Sequence, residues 1–161
     1  MAKSLAKKEV ANRPPVLAQN VRELVARADL EAVDTVRIVA ERLYADRVHG
    51  GTLSEASELH IELSPPTVRY PTEPQASGAA ILVDLVATWR GPDAVVYGQA
   101  ALTVRVAYRF LGLDQAPAAK VVEEFANELG LHHAWPFLRE RLRTLSAELG
   151  LPAAILPLRK R

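Results

Sequence analysis

Residues 80–110 read AILVDLVATWRGPDAVVYGQAALTVRVAYRF, and the reading of this stretch decides the fold. Ile81, Val83, Leu85, Ala87 and Trp89 fall on one side of an extended chain. Leu82, Asp84, Val86, Thr88 and Arg90 fall on the other. Gly91-Pro92-Asp93 has the composition of a turn. Beyond it Val96, Gly98, Ala100, Leu102, Val104, Val106, Tyr108 and Phe110 are expected to share one face, alternating with Gln99, Thr103, Arg105 and Arg109. Period two sustained this long is the signature of strands with one buried face. Two such segments around a tight turn predict an antiparallel hairpin, apolar on one side and polar on the other.

After Gly112 the period changes. Val121, Val122, Phe125 and Leu129 share a helical face, with Asp114 as a candidate cap, Pro117 in the first turn and Gly130 as the stop. A second helix follows, in which Leu138, Leu142, Leu145 and Leu149 recur at helical spacing. Pro136 suits its first turn, where a missing N–H leaves nothing unpaired. Gly150 suits a left-handed cap, and Pro152 blocks continuation.

Upstream the pattern is weaker. Leu17, Val21, Leu24 and Val25 predict a short helix between Val16 and about Asp29. Residues 32–48 suit either a helix or a strand; the β-branched cluster Val33, Thr35, Val36, Ile38 and Val39 favours a strand. Gly50-Gly51 breaks the chain. Residues 52–79 form a crossover in which Pro65, Pro66 and Pro71 restrict any strand to an edge. Strands followed by helices predict an α+β fold, a four-stranded antiparallel sheet with C-terminal helices packed on one face. Residues 1–15 are read as a flexible basic tail, 16–158 as a single domain and 159–161 as a basic end.

Composition narrows the function. The chain has 161 residues, enough for one cored domain, and a net charge of +1, so no global field gathers nucleic acid or an anionic membrane. It has no cysteine, which removes disulfides, thiolate nucleophiles and zinc–thiolate sites. No apolar run is long enough to span a bilayer, and the basic start lacks the apolar core of a signal peptide, so a cytoplasmic location is expected. No phosphate-binding glycine loop or nucleophile elbow is present. His132-His133 is the one histidine pair, and neighbours on a helix point in different directions, so no metal or other cofactor is expected and neither is catalysis. What remains is apolar surface. Leu59, Ile61, Leu63, Val68 and Tyr70 alternate along the crossover with no helix of their own to cover them, which leaves a candidate groove between crossover, sheet and final helix.

The end of the chain also resembles a known family. Ala134-Trp135-Pro136-Phe137-Leu138-Arg139-Glu140, then Leu145, Gly150-Leu151-Pro152 and Leu156-Pro157, is similar to the C-terminal signature of the SecB export chaperones. The preceding order of strands, long hairpin and helix fits as well, over residues 30–158. The resemblance implies an ATP-independent chaperone that holds unfolded or precursor proteins in apolar grooves and delivers them to the SecA motor. Related members protect a single aggregation-prone antitoxin instead. It implies a homotetramer built as a dimer of dimers, with no nucleic acid and no membrane insertion. On that reading Leu63, Val68, Tyr70, Trp89 and Tyr97 line the client groove. Trp135, Phe137, Leu138, Leu142 and Leu145 then form the oligomer interface. A purely structural oligomer, and an enzyme or small-ligand carrier using the sheet concavity, are the rival readings, and the first predicts no affinity for unfolded chains.

Overall fold

The computed structural model describes residues 19–43, 58–71, 77–91, 94–113 and 115–156. The tail at 1–15, the glycine pair at 50–51, most of the turn at 91–93, the Asp114 cap and the basic end at 159–161 lie outside them. The elements run α1 (Val21–Arg27), β1 (Ala28–Arg42), β2 (Glu58–Leu63), β3 (Thr67–Arg69), β4 (Gly78–Arg90), β5 (Val96–Phe110), α2 (Ala119–Phe125), a π-helical turn (Ala126–Gly130) and α3 (Leu131–Glu148).

The hairpin forms as its alternation dictates. β4 pairs with β5 from Gly78 opposite Arg109 to Arg90 opposite Val96. Ile81, Val83, Leu85, Ala87 and Trp89 are all buried, as are Leu102, Val104, Val106, Tyr108 and Phe110 across from them. The sheet is five-stranded and antiparallel, in the order β1-β5-β4-β2, with β3 also on β4. β2 and β3 share that one edge, so the expected four strand positions are present and one is occupied by two short pieces. The break falls at Pro65-Pro66, where proline cannot donate to a ladder.

β1 settles the ambiguous segment as a strand, pairing with β5 over nearly its whole length. Ile38 and Ala40 share the core side, opposite Leu102 and Ala100, while Arg37 and Glu41 point away. The register slips between Leu30 and Ala32 and again between Thr35 and Arg37. Each slip inserts an extra residue and reverses the alternation, which is why the sequence read ambiguously.

The helical layer differs from expectation at two points. Pro117 is buried but precedes the first turn, and α2 begins after Ala118 without a side-chain cap. Gly130 does not stop the helix: its φ is −58°, and α2 continues through the π-helical turn into α3. Pro136 therefore lies inside α3 instead of in its first turn. The reason for a glycine here is proximity. A Cβ on Gly130 would sit 2.6 Å from Ile81 Cδ1, so the helix is pressed onto the sheet where no side chain fits.

From there α3 lays Leu138 and Leu142, both fully buried, over the apolar face, each contributing roughly 1.5–3 kcal/mol of burial. Gly150 ends it as expected, at φ +61°. The Leu151 N–H bonds Ser146 O at 2.8 Å and the Gly150 N–H bonds Ala147 O at 3.1 Å, closing the helix end in a Schellman motif. Arg42 of β1 donates to Leu149 O at 3.2 Å, placing a cation at the negative end of the helix. The chain then turns back over the sheet: Leu151, Ala154 and Leu156 are buried, and Trp89 Nε1 donates to Pro152 O at 3.0 Å. At the other end α1 is capped by Asn20 and buries Leu24, while Val25 is exposed.

Gly130→Ala tests the close approach. Alanine is the better helix former by about 1 kcal/mol, yet the overpacking against Ile81 is expected to make the variant less stable by about 1–3 kcal/mol in urea unfolding. A stabilised variant would show that glycine is not required there.

Candidate binding surfaces

The residues expected to line one groove separate into three places. Leu63 and Val68 stand on the core side of β4's edge, opposite Leu85 and Ile81. Leu63 is partly exposed and Val68 half-buried. Tyr70 follows immediately and is 47% exposed. These three form a continuous rim. Trp89 does not belong to it: its side chain is 1% exposed and its indole N–H is bonded to Pro152, so it is core beneath the C-terminal segment. Tyr97 is half-buried at the turn end of the hairpin, level with Trp89 and Arg90. Tyr70 flanks Arg69, which pairs with Ala80, so Tyr97 is nine or ten residues further along β4, roughly 30 Å away.

The expected oligomer surface divides in the same way. Leu138 and Leu142 are fully buried against the chain's own sheet and Leu145 is 9% exposed, so a second copy cannot reach them. Phe137 is 44% exposed and Trp135 half-buried. The physical reason is the leucine spacing itself: a repeat that matches a sheet below the helix is satisfied by that sheet first.

What sequence alone did not assemble is a cleft of about 600 Å³ at the foot of the hairpin. Tyr70, Pro71, Gly78, Ala79, Tyr108 and Phe110 give it apolar walls, and Arg69, Arg109 and Glu31 stand at its rim. It lies where, among the described residues, β3 ends at Arg69 and β4 starts at Gly78. A Cβ on Gly78 would meet Tyr108 O at 2.6 Å, so this corner of the wall must be bare backbone. The Ser77 Oγ beside it is buried without a hydrogen-bond partner. Burial, and next the Glu123 carboxylate, push the Tyr70 phenol above its ordinary pKa, so it is an uncharged donor at neutral pH.

The inner wall is stiff. Tyr108 packs edge-on to Phe125 with ring centroids 4.8 Å apart, and Phe110 does so at 5.7 Å. The Tyr108 hydroxyl is 2.8 Å from His133 Nδ1. His133 is thereby engaged by the wall, and among the described residues no group of three or more His, Cys, Asp or Glu is placed to hold a metal ion. No helix among them is long and apolar enough to cross a membrane.

A second surface is the strand β1. It is an edge among the described strands, and Leu30, Val36, Ile38 and Val39 are each between 44% and 50% exposed. A long edge with exposed apolar side chains is an open template for pairing. The β-branched cluster that identified the strand was the available signal, but nothing local says that a strand is an edge.

This arrangement, an open antiparallel sheet with one helical layer and one bare face, is the fold of the SecB-like chaperones. The solved structure that shows it is the Mycobacterium tuberculosis Rv1957 SecB-like chaperone in complex with a ChAD peptide from the Rv1956 HigA1 antitoxin. It superposes with a TM-score of 0.74 at 19% identity, covering 87% of this chain and 96% of that one. A protein of unknown function from Streptococcus agalactiae gives a TM-score of 0.38 at 10% identity, over 81% of this chain and 96% of that one. By sequence, no family model matches and no curated protein gives a significant match.

Tyr108→Phe probes the stiff wall. Loss of the bond to His133 is expected to cost about 1 kcal/mol at neutral pH. Burial raises the folded phenol's pKa well above the ordinary 10.0, so the neutral side chain's stabilising contribution is complete below that value and is lost as pH rises past it. Urea midpoints should therefore show wild type falling toward the variant in alkali. A constant difference across the range would contradict this.

Proposed function

We propose that this chain is an ATP-independent holding chaperone whose client lies in the cleft at the foot of the hairpin. The observation that carries the reading is the cleft itself, apolar within, rimmed by charge, and bordered by the exposed ring of Tyr70. An extended segment entering it would place an apolar side chain against the exposed ring of Tyr70 and continue along Val68 and Leu63. Apolar burial at ~25 cal/mol per Å² needs no nucleotide to drive it. The fold supports the same reading, since the SecB-like chaperone that shares it was solved holding a peptide.

Of the two client classes that the sequence resemblance implied, one dedicated client is the better supported. That neighbour's peptide comes from an antitoxin, a single defined partner. Delivery of precursors to an export motor is the second reading and rests on the sequence resemblance alone.

We also propose that the chain works as a homo-oligomer, with β1 as the first contact. Its exposed edge and the row of Leu30, Val36, Ile38 and Val39 support this. Phe137, 44% exposed, remains available for a second contact on the helix side.

Two outcomes follow. Tyr70→Ala should lower affinity for an apolar client peptide about tenfold in calorimetry, while its unfolding midpoint moves by no more than about 0.5 kcal/mol. An unchanged affinity would place the client elsewhere. Ile38→Lys should reduce the mass read by light scattering to that of a smaller species. A wild type that is already a single chain at micromolar concentration would end the assembly proposal.

A further inference from the structure

The side of the sheet that faces away from the helices carries a second hollow, of about 500 Å³. Ala80 and Leu82 of β4 form its floor, Val36 borders it, and Arg37, Arg69 and Arg105 stand around it. It meets the foot cleft at Arg69 and Ala80, which line both.

The charges here are unevenly matched. Arg105 is paired with Asp34 at 2.7 Å, and Arg109 with Glu31. The Asp84 carboxylate accepts from Thr103. Arg37 and Arg69 have no acidic partner among the described residues, although both are exposed on the rim of one hollow. Two guanidinium groups without an acid, on β1 and β3 at either end of a hollow that includes Ala80 and Leu82, are arranged for carboxylates.

The spacing restricts the ligand further. Arg37 is level with Thr103 and Asp84, and Arg69 is level with Ala80, four residues along β4. Three strand spacings separate β1 from β3, so their backbones are roughly 19 Å apart. An extended chain covers that in about six residues, and alternate side chains then share one face. The middle of the path crosses β5 at Thr103 and Arg105, whose guanidinium is held by Asp34, and then Leu82 of β4, which favours apolar residues there.

We propose that this face docks an extended acidic segment of a partner protein, its two carboxylates on Arg37 and Arg69 and apolar residues between them on Ala80 and Leu82. The site adjoins the foot cleft, sharing Arg69 and Ala80 with it, and does not depend on the client reading.

The test uses the full chain and a dye-labelled peptide with glutamates roughly six positions apart and leucines at the alternate positions between. Fluorescence anisotropy should show saturable, salt-sensitive binding. Arg37→Glu and Arg69→Glu should each weaken it at least about tenfold, and the double reversal should instead bind the same peptide with lysines in place of the glutamates. Both arginines are exposed, and circular dichroism would confirm that the variants fold. Because Arg37 is outside the foot cleft, Arg37→Glu should leave apolar client binding unchanged, which separates the two surfaces. Absence of binding, binding indifferent to Arg37→Glu, or displacement of the peptide by inorganic phosphate or by lower concentrations of a single-stranded oligonucleotide would each overturn the proposal.

Discussion

The pairing of β4 with β5 in one register is the constraint on which the rest depends. Gly78 opposite Arg109 sets a continuous row from Ala79 to Trp89 against a matching row from Gly98 to Phe110. A slip of one residue between them would turn one of the two rows to water. With the register fixed, the sheet has one apolar face, and one layer is enough to cover it. The helical run from Ala119 to Glu148 supplies that layer, Gly130 allows it to approach Ile81, and the segment after Gly150 closes the end at Trp89.

The functional surfaces follow from what a single layer leaves over. Among the described residues no helix lies on the opposite face of the sheet, and the charges there are only partly matched. β1, held on one side by β5, is an edge among the described strands. At the foot, β3 is too short to accompany β4 to its first residue, and the exposed strand end becomes a cleft walled by the same aromatic residues that anchor the helices. Core and cleft therefore meet at Tyr108, which packs on Phe125 and lines the cleft.

The hairpin was legible because strict period two has few alternative readings, and α3 was legible because its leucines keep one helical face. The α+β class followed from those two. The parity of β1 was not, since its two slips are set by pairing with a strand some seventy residues later. Nor was the fusion of α2 with α3: glycine and proline read locally as helix ends, but tight contact with Ile81 explains the first.

Among the site residues Tyr70 was legible as an apolar ring with no covering element. Trp89 was not, because alternation places it on the core side of β4 without saying whether that end of the face is covered. Leu138 and Leu142 read equally well as a seam for a second copy or for the chain's own sheet. The cleft was invisible for a more general reason, being made from residues near 70, 78 and 108 that only the sheet register brings together.

The most direct test of the account is a chemical-shift map of the isotopically labelled chain during titration with an apolar client peptide. The account predicts that the largest changes fall on Tyr70, the Gly78–Ala80 backbone and Tyr108 to Phe110, with smaller changes at Val68 and Leu63. Changes confined to Phe137 and Ile155 on the opposite surface of the helical layer and tail, or none at all, would contradict it.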